Sequence, residues 1–141
     1  MTAAPATALK VGTVVAERAV HLTRDSLVRY AGASGDFNPI HYRDDVAASV
    51  GLPGVLAHGM LTMGIAVQPV AEWLGDRGWV AGYGVRFTRP VVVDPEQGAT
   101  VDIVAKVGTV DEDGRPKRID LTVTAAGQTV LGKAQVTVVF H

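Results

Sequence analysis

The chain has 141 residues, of which 48% are hydrophobic and 19% charged, a composition typical of one folded domain and not of a disordered chain. Thirteen basic and fourteen acidic residues give a net charge of −1, and no basic cluster of the kind that binds nucleic acid is present. The absence of cysteine excludes disulfides, thiolate metal sites and a cysteine nucleophile.

The N-terminal part of the chain predicts a strand followed by a helix. Residues 1–8 are small and mostly uncharged, and we expect them to be frayed. They lack the charged and apolar regions of a secretory signal, so we expect a cytoplasmic location. Residues 11–20 are predicted to form a strand. Thr23 is a suitable N-cap for a helix that ends near Ala33.

A polar loop and a long apolar helix follow. Residues 34–42 (SGDFNPIHY) contain glycine and proline and predict a loop, before a short helix at 44–50. The long helix is predicted from Gly59 to Leu74, and Pro69 is expected to kink or shorten it. This helix is apolar on nearly all sides, but polar residues interrupt it too often for a membrane span. We therefore expect it to be buried inside the protein.

From residue 79 onward, apolar and polar residues alternate, which predicts half-buried antiparallel strands. Turns are predicted at Asp113-Gly114 and Gly127-Gln128. The order of elements predicts an α+β fold, in which the apolar face of an antiparallel sheet covers one apolar helix. Because such a sheet has exposed edge strands, we expect two chains to pair through an edge. The strands are predicted at residues 83–93 (ending around Pro90), 101–107, 119–125 and 130–140.

The polar loop places a carboxylate and an imidazole five residues apart. Asp36 and His41 flank Pro39, which stiffens the segment. An Asp/His pair can hold one water molecule and move its protons, which is general acid–base chemistry. Alternatively, Asp36 and Asn38 only form turns by bonding the local backbone. The spacing by itself leaves both interpretations open.

The start of the long helix is a second candidate. A helix N-terminus presents unpaired N–H groups and a partial positive charge, and glycine allows another molecule to approach the backbone. The amide of Gly59 could therefore bind an oxygen that becomes negative during a reaction. The alternative is that Gly59 only permits a tight start to the helix. We interpret His58 as a structural histidine or, at most, as a residue that supports the site.

These residues, taken together, resemble the motif of the MaoC-like dehydratases, the hydratase 2 family. The resemblance implies a single hotdog domain over residues 1–141, with a curved antiparallel sheet wrapped around a long central helix. Within the family, the chain resembles the catalytic subunits of the mycobacterial-type (3R)-hydroxyacyl-ACP dehydratases. The matching residues are Tyr30, the run Ser34-Gly35-Asp36-x-Asn38-Pro39-Ile40-His41, Asp44, Ala47, Gly51, His58-Gly59-Met60-x-x-x-Gly64 and, downstream, Val85-Arg86-Phe87 and Pro90.

The resemblance implies a hydro-lyase of fatty-acid metabolism that adds water reversibly to a trans-2-enoyl thioester, with no cofactor and no metal. It makes Asp36 and His41 the catalytic pair, Gly59 the oxyanion-hole amide, and Asn38 the residue that orients the pair or the water. The acyl group would be carried on acyl carrier protein or coenzyme A. The chain would pair with a second copy or with a related hotdog subunit.

The acyl chain would need an apolar tunnel, and the long helix offers candidates that could equally be plain core residues. Arg86 and Arg89 are candidate contacts for the anionic carrier. The tunnel candidates are Met60, Met63, Ile65 and Val67.

Two other functions remain open at the level of sequence. One is a non-catalytic subunit that binds acyl thioesters. The other is a hotdog thioesterase, which would need a carboxylate on or beside the long helix, where Glu72 lies far from the start. The four histidines lack the spacing of a zinc-binding helix, and no phosphate-binding loop is present.

Overall fold

The structure is a computed structural model that describes residues 8–141. The predicted fraying of residues 1–8 therefore falls, apart from Ala8, outside the described residues. No helix within 8–141 is both long and apolar enough to cross a membrane. The elements are β1 (Val14–Leu22), α1 (Arg24–Ser34), α2 (Asp44–Ser49), α3 (Gly59–Leu74), β2 (Gly78–Phe87), β3 (Ala99–Val110), β4 (Pro116–Ala125) and β5 (Gln128–Phe140), with 3-10 turns at Pro39–His41 and Gly75–Arg77.

The five strands form one antiparallel sheet in the order β1-β3-β4-β5-β2. Helix α3 contacts both edge strands, β1 and β2, and also β3 and β4. One helix can touch both edges only if the sheet curves around it. The predicted α+β hotdog architecture is therefore confirmed.

The core lies between the concave face of this sheet and one face of α3. Inward-facing residues of β3, β4 and β5 alternate with exposed ones and join a single apolar cluster. On α3 buried residues recur every four positions, at Thr62, Ala66, Val70 and Leu74, and Pro69 is buried beside them. Met60, on another face of the helix, is 60% exposed. Within the single chain the helix is thus buried against the sheet, as expected, and another of its faces is exposed.

The strand predicted at 83–93 differs from the observed β2, which runs Gly78–Phe87. Pro90 has no N–H to donate to a ladder, and the chain leaves the sheet before it. Residues 91–93 instead pair with the segment before α3: the Ala57 amide donates to Val91 O (2.9 Å) and the Val93 amide to Val55 O (2.9 Å). This backbone pairing links the segment after β2 to the segment before α3.

Smaller boundaries also shift. The β4–β5 turn lies at Ala126-Gly127, one residue before the prediction, and both residues have positive φ (50° and 73°), as in the type I′ turns that suit tight hairpins. The predicted turn at Asp113-Gly114 is confirmed. The first strand is β1 at 14–22 rather than 11–20. Pro69 does not shorten α3, which continues from Gly59 to Leu74.

Candidate active site

Helix α1 lies directly before the polar loop and fixes where the loop begins. Thr23 caps its start in a capping box with Ser26, as the sequence predicts for the cap. Gly35 ends it at φ 79°, in the left-handed region that glycine adopts easily, and its amide donates to Ala31 O (2.9 Å). The loop therefore leaves the helix in one defined direction.

Three short-range hydrogen bonds shape the loop. Ser34 Oγ accepts from the Asp36 amide (3.1 Å), Asp36 Oδ1 from the Asn38 amide (3.1 Å), and Asn38 Oδ1 from the Ile40 amide (3.2 Å). The turn-forming interpretation of Asp36 and Asn38 is therefore confirmed. It does not compete with a chemical role, because Asp36 is exposed and keeps a second carboxylate oxygen outside this chain of bonds.

The ring of His41 is buried and has a defined tautomer. Its Nδ1 lies 2.7 Å from the carbonyl oxygen of Leu56. Because a carbonyl only accepts, Nδ1 carries the proton and Nε2 is left with a lone pair. Leu56 forms an isolated β-bridge with Val92. The pairing of residues 55–57 with residues 91–93 therefore holds the Leu56 carbonyl in place.

The carboxylate and the two neighbouring imidazoles lie close together. A carboxylate oxygen of Asp36 and one ring nitrogen each of His41 and His58 lie within 4.8 Å of one another. One water molecule that makes two hydrogen bonds of about 2.8 Å can bridge groups at such a separation. The arrangement can therefore hold a water between a carboxylate and an imidazole.

The same three residues do not fit a metal ion. The rings of His41 and His58 are stacked, with centroids 3.8 Å apart and planes 20° from parallel. Lone pairs in stacked rings point side by side, so they do not converge on one ion at about 2.0–2.1 Å. In addition, His58 Nε2 lies 3.1 Å from the carbonyl oxygen of Asp36 and must carry a proton to bond it.

Gly59 is the first residue of α3, and the helix start is uncapped. The preceding residue, His58, makes no side-chain hydrogen bond to the first turn. Its main-chain oxygen accepts from the amides of Leu61 and Thr62, so the earlier amides of the turn, including that of Gly59, are the ones left for an acceptor. Gly59 and His41 line the same cleft, of about 310 Å³. A Cβ on Gly59 would lie 2.9 Å from Cε1 of Phe87. The close neighbour of Gly59 here is thus the half-exposed ring of Phe87.

The other predicted residues are placed less centrally. Asn38 turns its side chain to the backbone, and none of the four tunnel candidates lines the cleft, so their contact with an acyl chain stays a prediction. Arg89 does line it, and its NH1 donates to Thr129 O (3.3 Å). Arg86 lies in a different groove, with Arg118 and Lys133. The other cleft residues are Leu56, Ala57, Thr62, Phe87, Thr88, Pro90, Val91, Val130 and Leu131.

His58, expected to be a structural or supporting residue, contacts both Asp36 and His41. Its side chain is 1% exposed, it stacks on His41, and the ring of Tyr30 meets it edge-on at 4.7 Å. Burial lowers the pKa of His58, and the adjacent His41 adds to this, while the hydrogen bond to the Asp36 carbonyl acts in the opposite sense. The apolar residues before it (Val55-Leu56-Ala57) were the one local signal of burial. No local pattern could reveal its contact with His41.

A sheet wrapped around one helix, with a carboxylate and an imidazole beside the open helix N-terminus, defines a hotdog protein whose site suits proton transfer to and from water. The family model described as "MaoC like domain" matches residues 7–129. The chain therefore belongs to the MaoC-like family.

Among curated relatives, the 3-hydroxyacyl-thioester dehydratase X of Mycobacterium tuberculosis is 34% identical over 82 residues. The match covers 58% of this chain and 28% of the relative, so the chain spans about a quarter of that protein's length. A solved structure of a MaoC-like dehydratase superposes with a TM-score of 0.86 at 36% identity, covering 94% of this chain and 41% of that one.

A chain from the ChsH1-ChsH2 complex of Mycobacterium tuberculosis has a TM-score of 0.79 at 19% identity, covering 94% of this chain and 98% of that one. At this identity the likeness shows the shared fold alone.

Proposed function

We propose that the chain adds water reversibly across the double bond of a trans-2-enoyl thioester, giving a (3R)-3-hydroxyacyl thioester, and dehydrates that product in reverse. The observation that carries this proposal is the Asp36 carboxylate within 4.8 Å of an imidazole nitrogen of His41, next to the open N-terminus of α3. The similarity to a relative named as a 3-hydroxyacyl-thioester dehydratase supports the same reaction. The expected compartment is the cytoplasm.

The Asp36–His41 pair would activate the water. His41 offers a lone pair at Nε2 because Nδ1–H is held by Leu56 O, and the Asp36 carboxylate can accept the second hydrogen of the same water. As the oxygen bonds to C3, one proton passes to the pair, and the pair delivers a proton to C2. The pair thereby returns to its starting protonation state, and dehydration follows the same path backwards.

The start of α3 would stabilise the charge that this addition creates. When water attacks C3, negative charge accumulates on the thioester oxygen. Gly59 lines the cleft that His41 also lines, and its amide lies at the positive end of the helix dipole. One such donor contributes about 2.7–4 kcal/mol to transition-state stabilisation.

Asn38 and Arg89 have supporting roles in this proposal. Asn38 orients Asp36 through its backbone amide, which bonds Asp36 Oδ1, while its own Oδ1 caps the turn that carries His41. Arg89 stands on the cleft wall, where a cation can contact the anionic phosphopantetheine arm shared by acyl carrier protein and coenzyme A. Arg86, which lies in a different groove, is the weaker candidate for that contact.

We also propose that a second hotdog chain, either another copy or a related subunit, covers α3 and the edge of β2. Strand β2 ends the sheet, and exposed apolar side chains lie at Met60 on α3 and at Trp79 and Phe87 on β2. An unpaired edge beside apolar surface is suited to sheet extension. The membership of one structural neighbour in a two-protein complex agrees with this.

Light scattering coupled to size exclusion tests the pairing. We expect a dimer for the chain alone, and Trp79→Glu should shift it towards monomer. The matched control is Val28→Glu, because Val28 is also exposed (59%) and its helix, α1, contacts β1, at the opposite edge of the sheet from β2. A monomer that gains neither mass nor activity when co-expressed with a related hotdog subunit would contradict the pairing.

The carboxylate that α3 itself offers to the thioesterase alternative lies far from the start of the helix. The acidic residue of α3 is Glu72, thirteen residues after Gly59, which is about 20 Å at 1.5 Å per residue. It is also paired with Arg18 across the helix–sheet contact. A carboxylate so far from the helix N-terminus cannot act on a carbonyl bound there.

The test of the reaction is the loss of enoyl-thioester absorbance when the protein is added to crotonyl-CoA or a longer enoyl-CoA. Asp36→Asn and His41→Ala should each lower kcat by about 10²–10⁴, with circular dichroism unchanged. His21→Ala is a matched control, since His21 is an exposed histidine on β1. Full activity in either site variant would refute the pair. Thiol release without hydration would identify a thioesterase, and binding without turnover a non-catalytic subunit.

A further inference from the structure

We propose that His58 is a positioning residue that holds both members of the catalytic pair at once, through the backbone of Asp36 and the ring face of His41. This inference rests on the proposed function of that pair. It assigns to His58 neither proton transfer nor contact with substrate.

The imidazole ring of His58 contacts both Asp36 and His41. Nε2–H of His58 donates to the carbonyl oxygen of Asp36 (3.1 Å), so the ring ties down the backbone that bears the carboxylate. Its face lies 3.8 Å from the ring of His41, with the planes 20° from parallel. His41 is thus held at one edge by Leu56 O and on one face by His58, which leaves little freedom for ring rotation.

His58 also links the pair to the helix start. It is the N-cap residue of α3 and directly precedes Gly59. Its main-chain oxygen accepts from the amides of Leu61 (3.0 Å) and Thr62 (3.2 Å), which fixes its backbone to the first turn. Any displacement of the His58 ring would therefore change the position of Asp36 and His41 relative to the Gly59 amide.

A direct chemical role does not fit the geometry. The Nε2 proton is engaged with the Asp36 carbonyl, and Nδ1 is buried without a hydrogen-bond partner among residues 8–141. Stacked rings do not hydrogen-bond to each other, so no proton path joins His58 to His41. The groups that face the ring are Tyr30 from α1, Asp36 from the loop and His41 from the 3-10 turn.

The unpaired Nδ1 indicates that histidine at this position has a role beyond packing. A buried acceptor without a donor is unfavourable, and phenylalanine would fill the same space and stack in the same way without it. What phenylalanine cannot supply is the N–H that holds the Asp36 carbonyl. Burial lowers the pKa of His58 and so keeps the ring neutral, which avoids a positive charge against the His41 ring as His41 takes a proton.

The experiment compares His58→Phe, which keeps the ring and loses the donor, with His58→Gln, which keeps an amide donor and loses the ring. His21→Phe is the matched control on β1. With an enoyl-CoA substrate we expect His58→Phe to lower kcat about 10- to 100-fold, since small misplacements of catalytic groups have effects of this size. KM should stay within about twofold, and His58→Gln should recover part of kcat.

Nuclear magnetic resonance of the free protein supplies a readout that does not depend on activity. In wild type, the imidazole nitrogens of His41 should show one tautomer with a protected Nδ1–H, and in His58→Phe that proton should exchange faster and the Asn38 amide should shift. Unchanged His41 and Asn38 signals in a folded variant would overturn the positioning role, as would wild-type kcat in His58→Phe. If wild type itself shows no turnover, the proposed function fails, and the spectra still decide the role of His58. If His58→Phe does not fold, His58→Gln gives the same two readouts.

Discussion

Removal of the Gly59 N–H, with little other change to the backbone, is the sharpest test of the oxyanion role. Gly59→Pro does this, because proline is favoured at the first position of a helix, where its missing N–H has no intrahelical partner. The residue before it is already compatible: His58 has φ −60° and ψ 131°, in the region to which a following proline restricts its neighbour. Helix α3 should therefore form in the variant.

Gly59→Ala separates the steric part of this change from the loss of the amide. Both variants add a Cβ that would lie 2.9 Å from Phe87 Cε1, and an ordinary van der Waals contact begins at about 3.4 Å. The ring must then yield by about 0.5 Å (3.4 − 2.9), which a half-exposed phenylalanine can do by a small rotation. We expect Gly59→Ala to fold and to lose only a modest part of kcat.

The difference between the two variants measures the amide. One oxyanion donor contributes about 2.7–4 kcal/mol, so kcat of Gly59→Pro should lie about 10²–10³ below that of Gly59→Ala. The assay is hydration of an enoyl-CoA followed by absorbance, with circular dichroism and thermal unfolding to show that both variants are folded. Equal kcat values in two folded variants would refute the assignment of the Gly59 amide.

Two further predictions concern stability. The Tyr83 hydroxyl on β2 donates to Met63 O of α3 (2.7 Å), and burial raises the pKa of Tyr83 to about 12. Tyr83→Phe removes this hydrogen bond and should lower the free energy of unfolding, measured by urea titration, by about 1 kcal/mol. An unchanged urea midpoint would contradict a stabilising role for the bond. Burial lowers the pKa of His58 in the folded protein below its usual 6.5. Below pH 6.5 the unfolded chain therefore binds more protons than the folded one. The contribution of His58 to the free energy of unfolding is complete above about pH 6.5 and is lost as the pH falls towards the folded-state pKa. The melting temperature should thus drop between pH 7.5 and 5.5 by more in wild type than in His58→Phe, and parallel curves would disprove the contribution.

Local chemistry accounts for the parts of the fold that were predicted well. The bounds of α3 at Gly59 and Leu74 follow from glycines that flank an apolar helical run, and the cap at Thr23 from its side-chain oxygen. The alternation of β3, β4 and β5 marks which residues face the core. The end of β2 was predicted wrongly because residues 91–93 have a strand-like pattern but pair with residues 55–57 instead of with the sheet.

The sequence by itself determined the turn that carries Asp36, Asn38 and His41, because the hydrogen bonds that shape it join residues two apart. Tertiary structure alone decided which nitrogen of His41 is free, through the carbonyl of Leu56. It also decided that His58 stacks on His41 and that Phe87 covers Gly59. Backbone carbonyls are present at every position, and ring contacts between distant segments have no period along the chain. Such features therefore leave no sequence pattern and appear only when the sheet closes around the helix.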